Sequence, residues 1–341
     1  MGAASFKELN RLLKDVSRSF YLTLRVLPGK VRPQIGLAYL FARATDTIAD
    51  TDIVPIGERL NTLARLRSRI LGTSIERLDF SHFTGADANV TPGERCLLEQ
   101  LDDVLASFEI TTPSDQALIR SVIETITSGQ ELDLRRFGLA NETKIVALKT
   151  EAELDDYTYR VAGCVGEFWT RICRAHLLSR TSVDDTTLIS LGIRFGKGLQ
   201  LVNILRDLPR DLRLGRCYLP ADRLVAAGLL PTSLLDLAVE AKLRPVFDAF
   251  LDLAQDHLAA GWHYTTSLPF TQIRLKLACA WPILIGVETI SKLRQSPLLD
   301  PNHRVKVSRR ELRKIMLGSL LLYPWPGRWE NMFGSIGRNH S

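Results

Sequence analysis

The sequence predicts an all-α fold. Apolar residues recur at spacings of three and four along nearly the whole chain, and long alternating runs rich in Val, Ile and Thr are absent. The Pro- and Gly-bearing stretches that interrupt the pattern are short. With 341 residues, 45% of them hydrophobic and 24% charged, the chain is excluded from the disordered, collagen-like and small disulfide-stapled classes. That length admits one large domain or two ordinary ones, and either can bury a core around a sizeable pocket. Because none of the interruptions is a long linker, residues 1–341 read as a single domain.

The elements follow in order. Helices are predicted over 5–14 and 31–51, with Leu27-Pro28-Gly29-Lys30 between them, and over 56–72. The polar stretch Ser81 to Pro92 leads into a helix over 92–108, and Thr112-Pro113-Ser114 opens one over 114–136. Helices over 151–177 and 184–208 come next, before Leu219-Pro220. Leu230-Pro231-Thr232 precedes a helix over 234–260, one over 271–294 follows, and Leu298 to Asn302 separates it from a last one over 308–322.

Charge and motifs narrow the function. The net charge of +6, from 44 basic and 38 acidic side chains, permits anionic substrates, nucleic acid or an acidic membrane surface. Five cysteines (Cys96, Cys164, Cys173, Cys217 and Cys279) are odd in number, widely spaced and without a CxxC pair, which suits a reducing, cytoplasmic compartment. Met1 to Leu13 has no apolar core of a secretory signal. The longest uncharged runs, Leu277–Val287 and Met316–Gly327, fall short of the roughly 20 residues that span a bilayer, so no transmembrane helix is expected. The six histidines form no HExxH spacing and no Gly-rich phosphate loop occurs, which argues against hydrolytic zinc and P-loop chemistry.

The 31–51 helix carries Tyr39, Arg43, Asp46 and Asp50 at spacings of four, three and four, so they share one face of an otherwise apolar helix. Buried charge needs a partner. Two carboxylates in this setting suit Mg²⁺, which is held by one or two carboxylates together with waters and substrate phosphates. A solvated face with an Arg43–Asp46 ion pair is the alternative. The 184–208 helix repeats the pattern with Gln200, Asn203, Asp207 and Asp211, spaced by three, four and four. Pro209 removes a backbone donor and clashes with the Leu205 carbonyl, so this helix is expected to kink or end near Leu208. Two such stripes facing each other across a cavity would hold Mg²⁺ ions around a diphosphate and help it leave as an anion. In the 151–177 helix, Tyr159, Ala162, Gly163 and Gly166 share a face. Glycine inside a helix costs about 1 kcal/mol relative to alanine. Either close helix packing or room for an extended hydrocarbon chain accounts for it.

The segments Ser17-Arg18-Ser19-Phe20, Arg43 to Asp50, Tyr157 to Gly166 and Gln200 to Pro220 together resemble, in order, the squalene and phytoene synthase family over roughly residues 10–290. The resemblance implies an isoprenoid-synthase helical fold with a central cavity and head-to-head coupling of two prenyl diphosphates. It implies Asp46, Asp50, Asp207 and Asp211 as Mg²⁺ ligands. Tyr39, Arg43, Gln200, Asn203 and Arg206 would hold diphosphate and metal, Ser17, Ser19 and Phe20 would form a flap and donor-site wall, and Tyr157 or Tyr159 would assist ionisation or proton handling. Where the family pattern usually has an acid before the last aspartate, this chain has Arg210 preceded by Pro209. The segment Asn302 to Arg310 is similar to the basic stretch that helps hold NADPH in squalene synthases, with Lys306, Arg309 and Arg310 as candidates; a solvated basic helix start is the alternative.

The resulting expectation is a squalene synthase using Mg²⁺ and NADPH on two farnesyl diphosphates. Phytoene, dehydrosqualene or presqualene diphosphate synthesis without reduction stays open within the family, and a non-catalytic helical assembly factor outside it. Trp325 and Trp329 allow the tail either to meet a membrane interface or to pack on its own domain, so peripheral association with the inner face of a membrane is admitted and nucleic acid is not.

Overall fold

Helices form where the apolar spacing calls for them, in a computed structural model that describes residues 6–17, 20–85, 87–178 and 183–338. The described residues gather into two compact units, 1–138 with 168–179 and 139–167 with 180–341.

In the first unit the Arg32–Asp50 helix, with Pro33 in its first turn, is the central element. Its apolar side, including Leu40, Phe41, Ala44 and Ile48, is fully buried. The Pro113–Phe137, Ile56–Leu71, Pro92–Glu99, Leu101–Glu109 and Phe6–Val16 helices pack around it. Phe41 meets the Phe108 ring edge-on at 5.4 Å. Of the carbonyls its last turn leaves without a helical partner, that of Ala49 accepts from the buried Arg59 guanidinium at 2.9 Å.

In the second unit the spine is the Asp185–Arg213 helix, packed against Glu240–Ser267, Ile273–Gln295 and the Tyr159–Gly163 segment. Its length and apolar composition would let it cross a membrane, but it is a packed helix of this unit that carries ion-paired side chains. The C-terminal stretch is fastened by indoles. Trp329 stacks on Trp262 at 4.8 Å and donates to the Ser319 carbonyl at 3.0 Å, while Trp281 donates to the Ser319 hydroxyl at 2.9 Å.

Several boundaries depart from expectation. The 92–108 helix is interrupted at Gln100, whose backbone leaves the helical region. The expected start at 234 moves to Glu240, because Pro231–Leu235 and Leu237–Val239 wind as 3₁₀ turns, the second capped by the Asp236 side chain. The helix bearing Pro209 does not end at Leu208 but runs to Arg213. Short helices at Phe20–Val26, Ser81–Thr84, Ala221–Ala226, Pro326–Glu330 and Met332–Arg338 were not expected. Nor was the parallel two-residue ladder pairing Val146–Ala147 with Arg216–Cys217. Gly215 precedes that ladder at φ 77°, where a Cβ would meet the Asn141 backbone, so glycine is required there.

Candidate functional site

Each unit carries one acidic stripe. In the first, Tyr39, Arg43 and Asp46 are half-buried and Asp50 is exposed at the helix end. Arg43 is the centre of the arrangement: one nitrogen donates to Asp46 at 2.7 Å and the other to Glu94. Glu94 is itself fixed by a capping box at the start of the Pro92–Glu99 helix, its second oxygen accepting from the Thr91 backbone N–H at 2.8 Å. The expected Arg43–Asp46 pair is therefore present, yet the face is not simply solvated, because the same guanidinium is anchored on a side chain that is only 8% exposed.

The electrostatics match this geometry. Burial would push Glu94 up, but the Thr91 hydrogen bonds and the Arg43 charge outweigh it and hold the carboxyl below its usual range. Asp46 moves the other way. Lost hydration comes first and the Asp50 charge second, and Arg43 only partly offsets them, so the carboxyl is pushed well above the ordinary carboxylate range. As 41% of the Asp46 side chain stays accessible, the repulsion by Asp50 is the contribution that a bound cation would relieve. An excess of negative charge on two carboxylates four residues apart fits Mg²⁺.

Around this stripe, Phe20 stacks on Tyr39 at 5.1 Å, and the Tyr39 hydroxyl donates to the Val16 carbonyl at 3.3 Å. Ser17 spends its hydroxyl on the Leu13 carbonyl. Ser19 lies outside the described residues.

In the second unit Arg206 grips the neighbouring Asp207 through two bonds, 2.9 and 2.6 Å. That bond raises the guanidinium pKa against its partial burial, and the charges of Asp207 and Asp211 add to the rise. Asp211 is thus within electrostatic reach of the stripe, because the helix continues past Pro209. Gln200 is half-buried and Asn203 exposed. Among the described residues no three His, Cys, Asp or Glu side chains converge.

The tyrosine segment differs from the expected continuous helix. Tyr159–Gly163 is a π turn between Glu151–Thr158 and Cys164–His176. Such turns recur at functional positions. The Tyr159 hydroxyl donates to Glu167 at 3.1 Å, and Lys197 lies over its ring at 5.9 Å while pairing with Asp155 at 2.6 Å. Tyr157 is buried and stacked on Tyr218 at 4.8 Å. The glycines serve packing, not a hydrocarbon channel. A Cβ on Gly166 would lie 1.9 Å from the Gly192 carbonyl oxygen, and one on Gly196 would lie 2.1 Å from that of Ala162. The two helices therefore touch backbone to backbone.

Lys306, Arg309 and Arg310 are all exposed. Lys292 donates to the Lys306 carbonyl at 3.1 Å and to Glu311 at 2.7 Å, and Ser308 with Glu311 forms the capping box of the Arg309–Leu322 helix.

Sequence reasoning missed four site residues. Glu94 announces its cap through Thr91-Pro92-Gly93-Glu94 but nothing in the sequence points it at Arg43. Lys197 and Glu167 are one turn or two from named residues, and Tyr218 comes from a distant segment.

Comparison with known proteins places this geometry in context. The family model described as squalene/phytoene synthase matches residues 13–311. A presqualene diphosphate synthase of Rhodopseudomonas palustris is 30% identical over 243 residues, covering 71% of this chain and 72% of that protein. A bifunctional lycopene cyclase/phytoene synthase of Phaeosphaeria nodorum is 30% identical over 218 residues, covering 64% of this chain and 34% of that protein. The chain thus spans about a third of the length of these bifunctional relatives. Among solved structures, TcSQS in complex with the ligand BPH1237 superposes with a TM-score of 0.74 at 21% identity, covering 98% of this chain and 99% of that one, a likeness of fold.

Proposed function

The chain belongs to the squalene/phytoene synthase family, and on that premise we propose that it couples two farnesyl diphosphates head to head, with Mg²⁺, to presqualene diphosphate. The observation that carries this reading is the pair of acidic stripes, each built of carboxylates spaced by four and each holding its own arginine. The presqualene diphosphate synthase relative supports the choice of product.

Asp46 with Asp50, and Asp207 with Asp211, would hold the metal. When bound, Mg²⁺ neutralises the diphosphate and makes it a better leaving group. The chain's own residues do the rest. Arg43 and Arg206 present planar N–H pairs suited to phosphate oxygens. Glu94 keeps Arg43 at its post. Tyr159, oriented by its bond to Glu167, holds or moves a proton at its phenolic oxygen. Phe20 and Tyr39 offer an aromatic wall to an apolar chain.

A second step, reduction to squalene with hydride from NADPH, is favoured by one observation: Lys306, Arg309 and Arg310 stand exposed at a helix start, where cations suit a nucleotide phosphate. The product profile from farnesyl diphosphate and Mg²⁺, with and without NADPH, separates the readings. Presqualene diphosphate without NADPH and squalene with it supports both steps. Presqualene diphosphate under both conditions removes the reduction. Dehydrosqualene despite NADPH, phytoene from geranylgeranyl diphosphate, or no diphosphate consumption overturns the proposal. Diphosphate release that survives Asp50→Ala or Asp207→Ala would show that the stripes are not the metal-binding groups.

A further inference from the structure

The Arg309–Leu322 helix has two sides of unlike chemistry. Ile315 and Ser319 are buried toward the second unit, where the Ser319 hydroxyl and carbonyl take the Trp281 and Trp329 indole N–H groups. Positions 309, 310, 313, 314, 317, 320 and 321 share the opposite face, and all seven are exposed. That face is divided along its length. Its first half is Arg309, Arg310, Arg313 and Lys314. Its second half is Leu317, Leu320 and Leu321, exposed by 59, 45 and 69%, continued by Trp325 at 56%.

A helix face that only meets water has no use for three leucines and an indole in a row. Nor does the fold need Trp325 as a fastener. Trp329, four residues on, fills that role at 2% exposure, stacked on Trp262, and leaves Trp325 outside. Phe270, 54% exposed and stacked on Tyr323 at 4.8 Å, widens the apolar area beyond the helix.

Charge identifies what covers it. Cations lie on both sides of the apolar stretch, Arg313 and Lys314 before it and the exposed Arg328 after it. Between Arg309 and Trp329 the one acidic residue is Glu311, and it is bound to Lys292 and Ser308. An apolar face with an outlying indole, rimmed by more cations than acids, with Glu311 engaged at the helix cap and the exposed Glu330 beyond Trp329, has the chemistry of a segment lying in a membrane interface, with leucines among acyl chains and cations at anionic headgroups.

We propose that this face seats the protein on the surface of an anionic lipid bilayer. The inference stands apart from the coupling step, whose residues it does not use, and because Arg309 and Arg310 are also the cations that the reduction reading assigns to NADPH, the test leaves both unchanged. The test is co-sedimentation of the full chain with vesicles of phosphatidylcholine alone or of phosphatidylcholine with phosphatidylglycerol. Binding is expected to the anionic vesicles and to weaken with salt. The double change Leu317→Gln with Leu321→Gln removes only exposed side chains and should cut vesicle affinity about tenfold or more. Arg313→Gln with Lys314→Gln should cut it about thirtyfold, at about a fivefold loss per cation. Equal binding to neutral vesicles, or no binding to either by chain of native circular dichroism, overturns the proposal. So does sedimentation velocity showing a dimer that the leucine changes convert to monomer, because the face would then cover a second copy.

Discussion

Replacing Glu94 by Gln isolates the charge that holds Arg43. The structure assigns Glu94 two tasks, accepting from the Thr91 backbone N–H at 2.8 Å and pairing with Arg43. Glutamine keeps the first, because its carbonyl oxygen still completes a capping box. It weakens the second. A hydrogen bond to a charged group contributes about 1.5–3 kcal/mol. Arg43 is still 24% exposed and keeps Asp46 at 2.7 Å, so a loss near the lower end, about 1.5 kcal/mol, is expected. For a unit of this size that lowers Tm by about 3–6 °C. Glu94→Ala also loses the cap and should fall by about a further 1 kcal/mol. The functional consequence is separate. With Glu94 neutral, Arg43 leans on Asp46 alone and competes more strongly with a cation for it. The Mg²⁺ concentration that half-saturates diphosphate release should rise about three- to tenfold, equivalent to about 0.7–1.4 kcal/mol, with kcat at saturating Mg²⁺ little changed. Magnesium titrations of purified wild type and Glu94→Gln, read by released diphosphate, measure it. If Tm falls while the Mg²⁺ dependence stays that of the wild type, Glu94 serves the helix cap only and the positioning argument fails.

Tyr159→Phe removes the bond to Glu167 and is expected to lower turnover about a hundredfold, the low end of general acid–base contributions, whereas Tyr157→Phe, in its stack on Tyr218, should chiefly alter packing; equal mild effects on steady-state rate would take both tyrosines out of the mechanism. Gly166→Ala drives a methyl into the Gly192 backbone and should cost about 3 kcal/mol or more, seen as a lower urea midpoint, and an unchanged midpoint would contradict the backbone contact. Asp115 is buried, which would raise its pKa, yet hydrogen bonds from His176, Gln34 and Thr112 hold it below the usual range. Its contribution is therefore present above the unfolded value of about 4 and is lost as pH falls through the lower folded value. Asp115→Asn should flatten the acid limb of stability measured by urea melts between neutral and acid pH, and parallel limbs for the two proteins would refute the assignment.

What the sequence disclosed and what it withheld divide along physical lines. Helix type and approximate extent were readable because the apolar period is a local property. Both aspartate stripes were readable for the same reason, since a spacing of three or four fixes a common face. Of the kink or end expected near Leu208, the end does not occur, because a proline's cost can be met by the packing of the helix that contains it, and the Asp185–Arg213 helix is packed on several sides. The glycines at 163 and 166 were visible as an anomaly, but only the partner backbone, with Gly196 on its side, decides between a channel and a contact. Glu94 was invisible in its main role. Its cap is written in four consecutive residues, whereas its hold on Arg43 joins positions 51 apart, which no local pattern encodes.

One device recurs in both units. Each stripe has one of its two carboxylates paired with an arginine of its own helix, Asp46 with Arg43 and Asp207 with Arg206. A carboxylate that is already paired is the less costly to keep half-buried, which explains how an apolar helix tolerates it. Under the proposed function the same pairing would link the binding of anionic substrate to that of the divalent cation. A carboxylate engaged by the cation no longer needs its guanidinium, and a guanidinium released from a carboxylate becomes a two-pronged donor for phosphate oxygens. If the stripes bind metal and diphosphate as proposed, carboxylate and arginine would make each other available, and affinity for one ligand would rise with occupancy by the other, a coupling that is reciprocal by thermodynamic necessity. A lysine at either position would neutralise the carboxylate as well but would offer a point charge instead of a planar fork. Glu94 adds an asymmetry, because Arg43 pairs with a second carboxylate besides Asp46, whereas the Arg206 guanidinium donates to Asp207 through two nitrogens. The two stripes are thus unlike in what holds their arginine: Arg43 bridges two carboxylates, whereas Arg206 grips one through two bonds.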